Sequence, residues 1–200
     1  SIIMPVYNGE HYIEHAIQSV LNQTHPSIEL LVVNDGSTDL TAEVILKVAD
    51  PRIKYLKQDN LGVSAARNTA LSKMTGDFFC FLDADDSFPP DSLMSRKELF
   101  QNPRIYFVDG QVLRMSSDMT RVNSEWNPHF QGKPLNDLVR LTGKSFLGLT
   151  WLIRRDKTKV YKFQEGLTHG EDLLFLMDLA RNGGDYAFVN EPILHYRDTA

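Results

Sequence analysis

The sequence contains one cysteine, no excess of positive charge, and no apolar run approaching the ~18 residues of a membrane-spanning helix. Each shortage closes a class. A lone Cys80 excludes a disulfide framework, and its place in the apolar stretch 78–82 reads as a buried thiol in a reducing, cytoplasmic compartment. A net charge of −5 argues against nucleic acid as a main partner. It does not argue against a nucleotide, because a bound divalent ion can bring the positive charge that the composition lacks. Neither G-x-G-x-x-G nor G-x-x-x-x-G-K-[ST] occurs, so dinucleotide binding and P-loop hydrolysis lose their usual support. No signal-peptide pattern is visible, and a chain opening at Ser1, already inside a strand pattern, reads as a trimmed piece of a longer one. What is present is 200 residues, 42% of them apolar, enough for one domain with a sizeable core.

Strand and helix signals alternate through the first half. Residues 1–4 form a short apolar strand closed by Pro5. Residues 10–22 carry Ile13, Ala16, Ile17, Val20 and Leu21 at helical spacing, and His25-Pro26 stops them. Strands are predicted at 28–33, 53–56 and 78–82, with helices at 41–49 and 62–74 between them. That rhythm implies an α/β, Rossmann-like doubly wound and mostly parallel sheet. Beyond Pro90 the pattern loosens into a mixed half. Helices are predicted at 92–100, 134–141 and 170–182, and extended chain at 105–115, 148–153, 186–189 and 193–196. The segment 116–133 reads as polar and irregular.

The run FFCFLDADD at 78–86 is the most informative stretch. Five apolar residues read as a buried strand, and three carboxylates, Asp83, Asp85 and Asp86, crowd its tip. Like charges at close range push one another toward protonation, and desolvation adds to the cost. A divalent cation removes the conflict, since Mg²⁺ and Mn²⁺ favour carboxylate oxygens and also hold substrate phosphates. The alternative is an acidic loop capping the next helix at Asp86 or Ser87.

Ligands of open α/β sheets bind outside the carboxyl ends of the strands. Polar clusters fall there after strand one (Pro5-Val6-Tyr7-Asn8-Gly9), strand two (34–39) and strand four (83–86), and 62–68 opens a helix before strand four. Each alone can be turn or cap chemistry; their convergence on one edge describes a pocket for a nucleotide diphosphate and a divalent ion. Asp35 can accept an N–H from a uracil-like ring. The amides of Gly9 and Gly62 can face a diphosphate, and Arg67 offers a fork to phosphate or base. Asp83 can hold ribose hydroxyls, and Asp85 a metal bridging the diphosphate.

With IIMPVYN (2–8), LLVVNDGSTD (30–39), DNLGVSAARNTAL (59–71), GDFFCFLDADD (76–86) and HGEDLLFLMDLA (169–180) in this order, the chain resembles glycosyltransferase family 2, the inverting group with the GT-A fold. The resemblance implies a nucleotide-diphospho-sugar donor, commonly UDP-linked, with Mg²⁺ or Mn²⁺. It matches Asp35 to the base contact, Asp83 and Asp85 to the Asp-x-Asp pair with Asp85 on the metal, and Asp172 to the catalytic base. Pro5, Tyr7, Asn8 and Arg67 join the donor-binding set, and His195 is a further metal contact with Arg197 as a phosphate partner. Displacement at an anomeric carbon needs a base on the acceptor side, which suits Asp172, although Glu171 and Asp172 also fit plain first-turn charges of a helix.

The chain has neither the Q-x-x-R-W motif nor the membrane helices of the family's processive synthases, so transfer of a single sugar is expected. The expectation is a single domain over 1–200, with a nucleotide-binding half at 1–90 and an acceptor and catalytic-base half at 91–200. It would build bacterial surface polysaccharide on a sugar or lipid-linked glycan acceptor, with peripheral membrane association; the run Arg154-Arg155-Asp156-Lys157 could touch an anionic membrane surface or a lipid-linked diphosphate but reads more readily as a solvated turn. The chain stops where many members continue, so acceptor-binding or docking parts are expected beyond Ala200. Trp151 reads as core; Trp126 and His169 stay open between acceptor contact and structural roles. Two rivals stand: a nucleotidyltransferase on a related scaffold, disfavoured because PVYNGEH has no Lys or Arg, and an inactive nucleotide-sugar-binding module, disfavoured because Asp83, Asp85 and Asp172 are all present.

Overall fold

The computed structural model describes residues 1–199; residue 200, the last of the expected domain, lies outside them. At its centre is β1 (Ile2–Val6), buried along its whole length. Parallel partners flank it: β2 (Leu30–Asp35) on one side and β4 (Phe78–Phe81) on the other, with β3 (Ile53–Gln58) outside β2. The order β3-β2-β1-β4 is that of a doubly wound sheet, and the winding reverses between β1 and β4.

The sheet continues in mixed sense. β7 (Leu152–Arg154) runs antiparallel to β4, and β5 (Ile105–Met115) antiparallel to β7. β6 (Val122–Trp126) pairs antiparallel with the end of β5, and β8 (Asp185–Arg197) runs parallel along β5 with several register shifts.

Strand alternation sorts the core into two layers. Ile2, Met4, Leu30, Val32 and Cys80 meet the apolar faces of α1 (Ile13–Leu21), α2 (Thr41–Lys47) and α4 (Ser92–Glu98). Ile3, Leu31, Val33, Phe79 and Phe81 meet α3 (Val63–Lys73), α5 (Leu135–Arg140) and α6 (Glu171–Arg181) on the other face. Helices on both faces leave the central strands no wet side, which is why they are apolar up to Asn34 and Asp35 at the tip of β2.

Several expectations need correction. Pro5 lies inside β1 instead of closing it. Cys80 and Leu82 donate to the carbonyls of Ser1 and Ile3, so Pro5 is the next residue facing β4, and it has no N–H to give. β4 ends at Phe81, no ladder bond is lost, and the two strands part there. The segment expected to be irregular contains β6, whose residues are polar and largely exposed and so show no apolar alternation. The two extended pieces predicted near the end are one strand, β8.

The basic run is half-buried at Arg154 and Arg155 and exposed at Lys157. Arg154 lies over the rings of Phe78, Phe100 and Tyr106, and donates to the carbonyls of Phe100 at 2.6 Å and Ile105 at 3.1 Å. Arg155 reaches the carbonyl of Gly76, and Lys157 pairs with Asp77 at 2.7 Å. These cations brace the β4–β7 corner. Among the described residues no helix is long and apolar enough to cross a membrane.

Candidate active site

The parting of β1 and β4 opens a cleft of about 420 Å³ at the carboxyl ends of the strands. Pro5, Tyr7, Asn8, Asp35, Arg67, Asp83 and Asp85 all line it, so the residues singled out from four separate sequence clusters share one wall system. The loops that carry them are tied together. Asn8, at φ 51°, accepts from the Thr38 amide at 2.8 Å, and its own amide donates to Ser37 Oγ at 2.9 Å. Gly36, at φ 76°, leaves room for Asn60; a Cβ there would lie 2.6 Å from the Asn60 nitrogen.

Asp35 is buried at the end of β2, and its carboxylate accepts from Gln58 Nε2 at 2.7 Å, the Leu61 amide at 3.0 Å and the Gly62 amide at 2.8 Å. A carboxylate has about four acceptor positions; three are used, which leaves one for a ligand in the cleft. The same bonds overturn one expectation. The Gly62 amide is spent on Asp35 and the Gly9 amide on Thr41 Oγ1 at 2.8 Å, so neither is free for a diphosphate. The remainder of 34–39 does turn work, with Asn34 Oδ1 accepting from the Ser37 amide.

Arg67 reaches across the cleft's end. It is only 4% exposed, and its Nη1 donates to Asp172 Oδ1 at 2.8 Å and its Nη2 to Asp83 Oδ1 at 3.1 Å. Its guanidinium lies over Phe163, which stacks on Phe175 at 4.0 Å, and Asn68 clamps both backbone polar groups of Phe163. The fork expected to meet phosphate is therefore already occupied by two carboxylates. Arg67 Nε is buried without a partner among the described residues.

Asp172 stands in the first turn of α6, beside Glu171. Burial, then the nearby charges of Asp83 and Glu171, push its carboxyl up to about 6 against the opposing pull of Arg67. A second cleft, about 280 Å³, begins at this residue; Asp83 and Asp172 line it together with Asp86, Leu149, Arg114 and Tyr196. Asp83 therefore belongs to both clefts.

The acidic tip is strongly perturbed. Burial raises Asp85, and the charge of Asp83 adds to it. Asp86 does not cap a helix, since α4 begins only at Ser92; it accepts from the Arg197 amide at 2.9 Å, and burial raises its carboxyl to about 8. Arg197 donates to the Asp85 carbonyl at 2.7 Å and to the Ser117 carbonyl, and lies over Tyr12. It braces the acidic loop and is not a free phosphate partner.

His195 exchanges backbone hydrogen bonds with Ser87, at 2.9 and 3.1 Å, directly behind the acidic run. Its ring lines neither cleft, and burial with the neighbouring His15 lowers its pKa. Among the described residues no three His, Cys, Asp or Glu side chains converge as a ready-made metal cage. Trp151 is wholly buried and donates to the Ser145 carbonyl at 2.9 Å. Trp126 donates to the Gly143 carbonyl, and His169 is exposed.

Phe163, Arg114, Tyr196 and the brace by Arg197 escaped the sequence reading. Only Phe163 left a signal there, one of two aromatics, with Tyr161, in a polar stretch before Asp172.

The family model described as Glycosyl transferase family 2 matches residues 1–161. The chain belongs to that family. An uncharacterized glycosyltransferase of Haemophilus influenzae is 34% identical over 181 residues, covering 89% of this chain and 70% of that protein. The Escherichia coli UDP-Glc:alpha-D-GlcNAc-diphosphoundecaprenol beta-1,3-glucosyltransferase WfgD is 43% identical over 111 residues, 55% of this chain and 44% of its own length. Among solved structures, S. aureus TarS 1-349 in complex with UDP-GlcNAc superposes with a TM-score of 0.82 at 23% identity, over all of this chain and 58% of that one. Mannosyltransferase PcManGT from Pyrobaculum calidifontis, in complex with GDP-Man and Mn2+, gives 0.69 at 20% identity, over 96% of this chain and 54% of that one. These likenesses confirm the α/β, GT-A type of fold. The chain spans only about half the length of several of these proteins.

Proposed function

We propose that this glycosyltransferase moves one sugar from a nucleotide-diphospho-sugar, UDP-linked, to a hydroxyl acceptor with inversion. One observation carries the reading: two clefts meet at Asp83, with Asp35 and Asp85 on one side of the junction and Asp172 on the other. A donor in the first cleft would present its anomeric carbon at that junction. Asp35, preorganised by three N–H donors, would use its remaining acceptor position on the base, and Tyr7 and Pro5 would flank it.

Asp172 then takes the proton of the acceptor hydroxyl as the new bond forms. Raised to about 6, it is mostly ionised at neutral pH yet more basic than an ordinary carboxylate, which suits a general base. Arg67 holds it in place. The departing diphosphate leaves on the opposite side, so inversion follows without a covalent intermediate.

Asp83 and Asp85 fit Mg²⁺ or Mn²⁺, since an oxygen-only pair, one member raised by burial and by the other's charge, suits a hard cation completed by phosphate oxygens. Bound there, the ion would stabilise negative charge on the leaving diphosphate. His195 would join only through a movement of its ring. Residues 1–90 would form the donor half and 91–200 the acceptor half. The E. coli relative's name and that of Bacillus subtilis GgaA, a minor teichoic acid biosynthesis protein 30% identical over 209 residues, 98% of this chain and 46% of that one, support work on bacterial surface glycans. On such acceptors the enzyme would work at the cytoplasmic face of the membrane, held peripherally.

Asp172→Asn is the test. Turnover of UDP-sugar should fall by ~10²-fold or more, while UDP affinity measured by calorimetry stays at the wild-type value. Unchanged turnover would remove Asp172 from the reaction.

A further inference from the structure

At the mouth of the second cleft stand two residues that donor binding and proton transfer do not use. Arg114 of β5 and Tyr196 of β8 are register partners, and the Arg114 guanidinium lies 5.4 Å from the ring centroid. Tyr196 is 39% exposed. Arg114 Nε faces Asp198 at 3.9 Å, beyond hydrogen-bond reach, and its terminal nitrogens meet no acceptor among the described residues. In Arg67, Arg96 and Arg197, by contrast, guanidinium nitrogens donate to protein oxygens.

Arg114 is also the one cation among the described residues lining this cleft; the others are the carboxylates Asp83, Asp86 and Asp172, the hydroxyls of Thr150 and Tyr196, and apolar groups such as Leu147, Leu149 and Leu194. Asp83 and Asp172 share the single charge of Arg67, which offsets part of theirs. The result is a pocket with an aromatic face, a partly apolar lining and a planar fork at its rim whose terminal nitrogens are unspent. A guanidinium fork matches the paired oxygens of a phosphate. At about 280 Å³ the cleft sits near the small end of ligand sites, room for one ring and not several.

We infer that this is the acceptor subsite and that it takes a sugar or polyol bearing a phosphate group, with Tyr196 against the carbon skeleton, Arg114 on the phosphate oxygens and the accepting hydroxyl at Asp172. The inference rests on the reading of Asp172 as the base. A phosphate of this kind can come from a lipid-linked sugar diphosphate or from a polyol-phosphate chain, and the test separates them.

Protein is titrated with N-acetylglucosamine 1-phosphate, methyl N-acetylglucosaminide and glycerol 3-phosphate, followed by amide shifts in β5 and β8. Each titration is run without nucleotide and again with UDP and Mn²⁺ filling the first cleft. The wild type should bind the sugar phosphate ~10-fold tighter than the methyl glycoside. Arg114→Gln should erase that preference and Arg114→Lys restore part of it, with UDP affinity unchanged in both. Tighter binding of the sugar phosphate than of glycerol 3-phosphate assigns the lipid-linked source; equal binding assigns the polyol phosphate. Equal affinity of the wild type for the sugar phosphate and the methyl glycoside, or an Arg114→Gln that keeps the preference, would overturn the subsite. Failure of the wild type to bind UDP would strike the donor reading instead, and the nucleotide-free titrations would still decide the role of Arg114.

Discussion

Replacing Arg67 by glutamine keeps a hydrogen-bonding group between Asp83 and Asp172 but removes the charge. With Nη1 2.8 Å from Asp172 Oδ1, the charge centres are close enough that an effective dielectric of ~20 gives ~4 kcal/mol of attraction, or ~3 pK units as an upper bound. Asp172 is partly open to water, its side chain 29% exposed, so about one to two units is the realistic loss. Arg67 favours the ionised form, so its removal must raise a carboxyl that already stands at about 6. In Arg67→Gln it should titrate at ~7–8. The ionised fraction at pH 7 would drop from ~90% to ~10–50%, and turnover at pH 7 would fall with it and recover near pH 9. ¹³C-carboxyl NMR in EDTA, with Asp172→Asn to assign the resonance, reads this without any acceptor. An inflection that stays at about 6 in Arg67→Gln, or a wild-type inflection near 4, would refute the electrostatic account. A loss of activity that pH 9 does not restore would show that Arg67 acts by shape alone.

Three further outcomes are expected. Asp85→Ala should weaken UDP binding ~10-fold in Mn²⁺ and change it little in EDTA; equal wild-type affinity in the two buffers would count against the metal. Asp86 has its folded carboxyl raised to about 8, above an unfolded value of ~3.9, so its contribution is fully present below pH ~4 and lost as the pH rises toward 8. Asp86→Asn should therefore raise Tm in EDTA more at pH 8 than at pH 4, and equal shifts at both would contradict the burial argument. Arg154→Ala strips a cation from three rings and two carbonyls of their donor, and should cost ~2–3 kcal/mol, a Tm lower by ~5–10 °C, with UDP affinity at low temperature intact.

The fold was legible where burial is two-sided. β1, β2 and β4 lie between helices on both faces, so their residues are apolar up to Asn34 and Asp35 at the tip of β2, and the helices between them show their inner faces at helical spacing. Legibility failed where burial is not what makes the element. β6 is polar and exposed and exists because β5 offers it an edge. Pro5 looked like a stop because proline has no N–H, yet it sits where no neighbour asks for one. The amides of Gly9 and Gly62 looked available because helix starts leave donors unpaired, but Thr41 at the start of α2 and Asp35 at the end of β2 had claimed them.

The site divides along the same line. Asp35, Asp83, Asp85 and Tyr7 were readable because each stands at or just past the end of β1, β2 or β4, and parallel strands deliver their carboxyl ends to one edge by topology alone. No local pattern could show that Arg67 would bind Asp172, since 105 residues separate them. That pairing depends on α6 packing on the same face of the sheet as α3, and on Phe163 stacking against Phe175 beneath the guanidinium. Its consequence is chemical. A charge buried at 4% exposure persists only with partners, and here both partners are carboxylates of the junction between the clefts. Asp83 and Asp172 thus share one cation, and no single-residue motif could have carried that information.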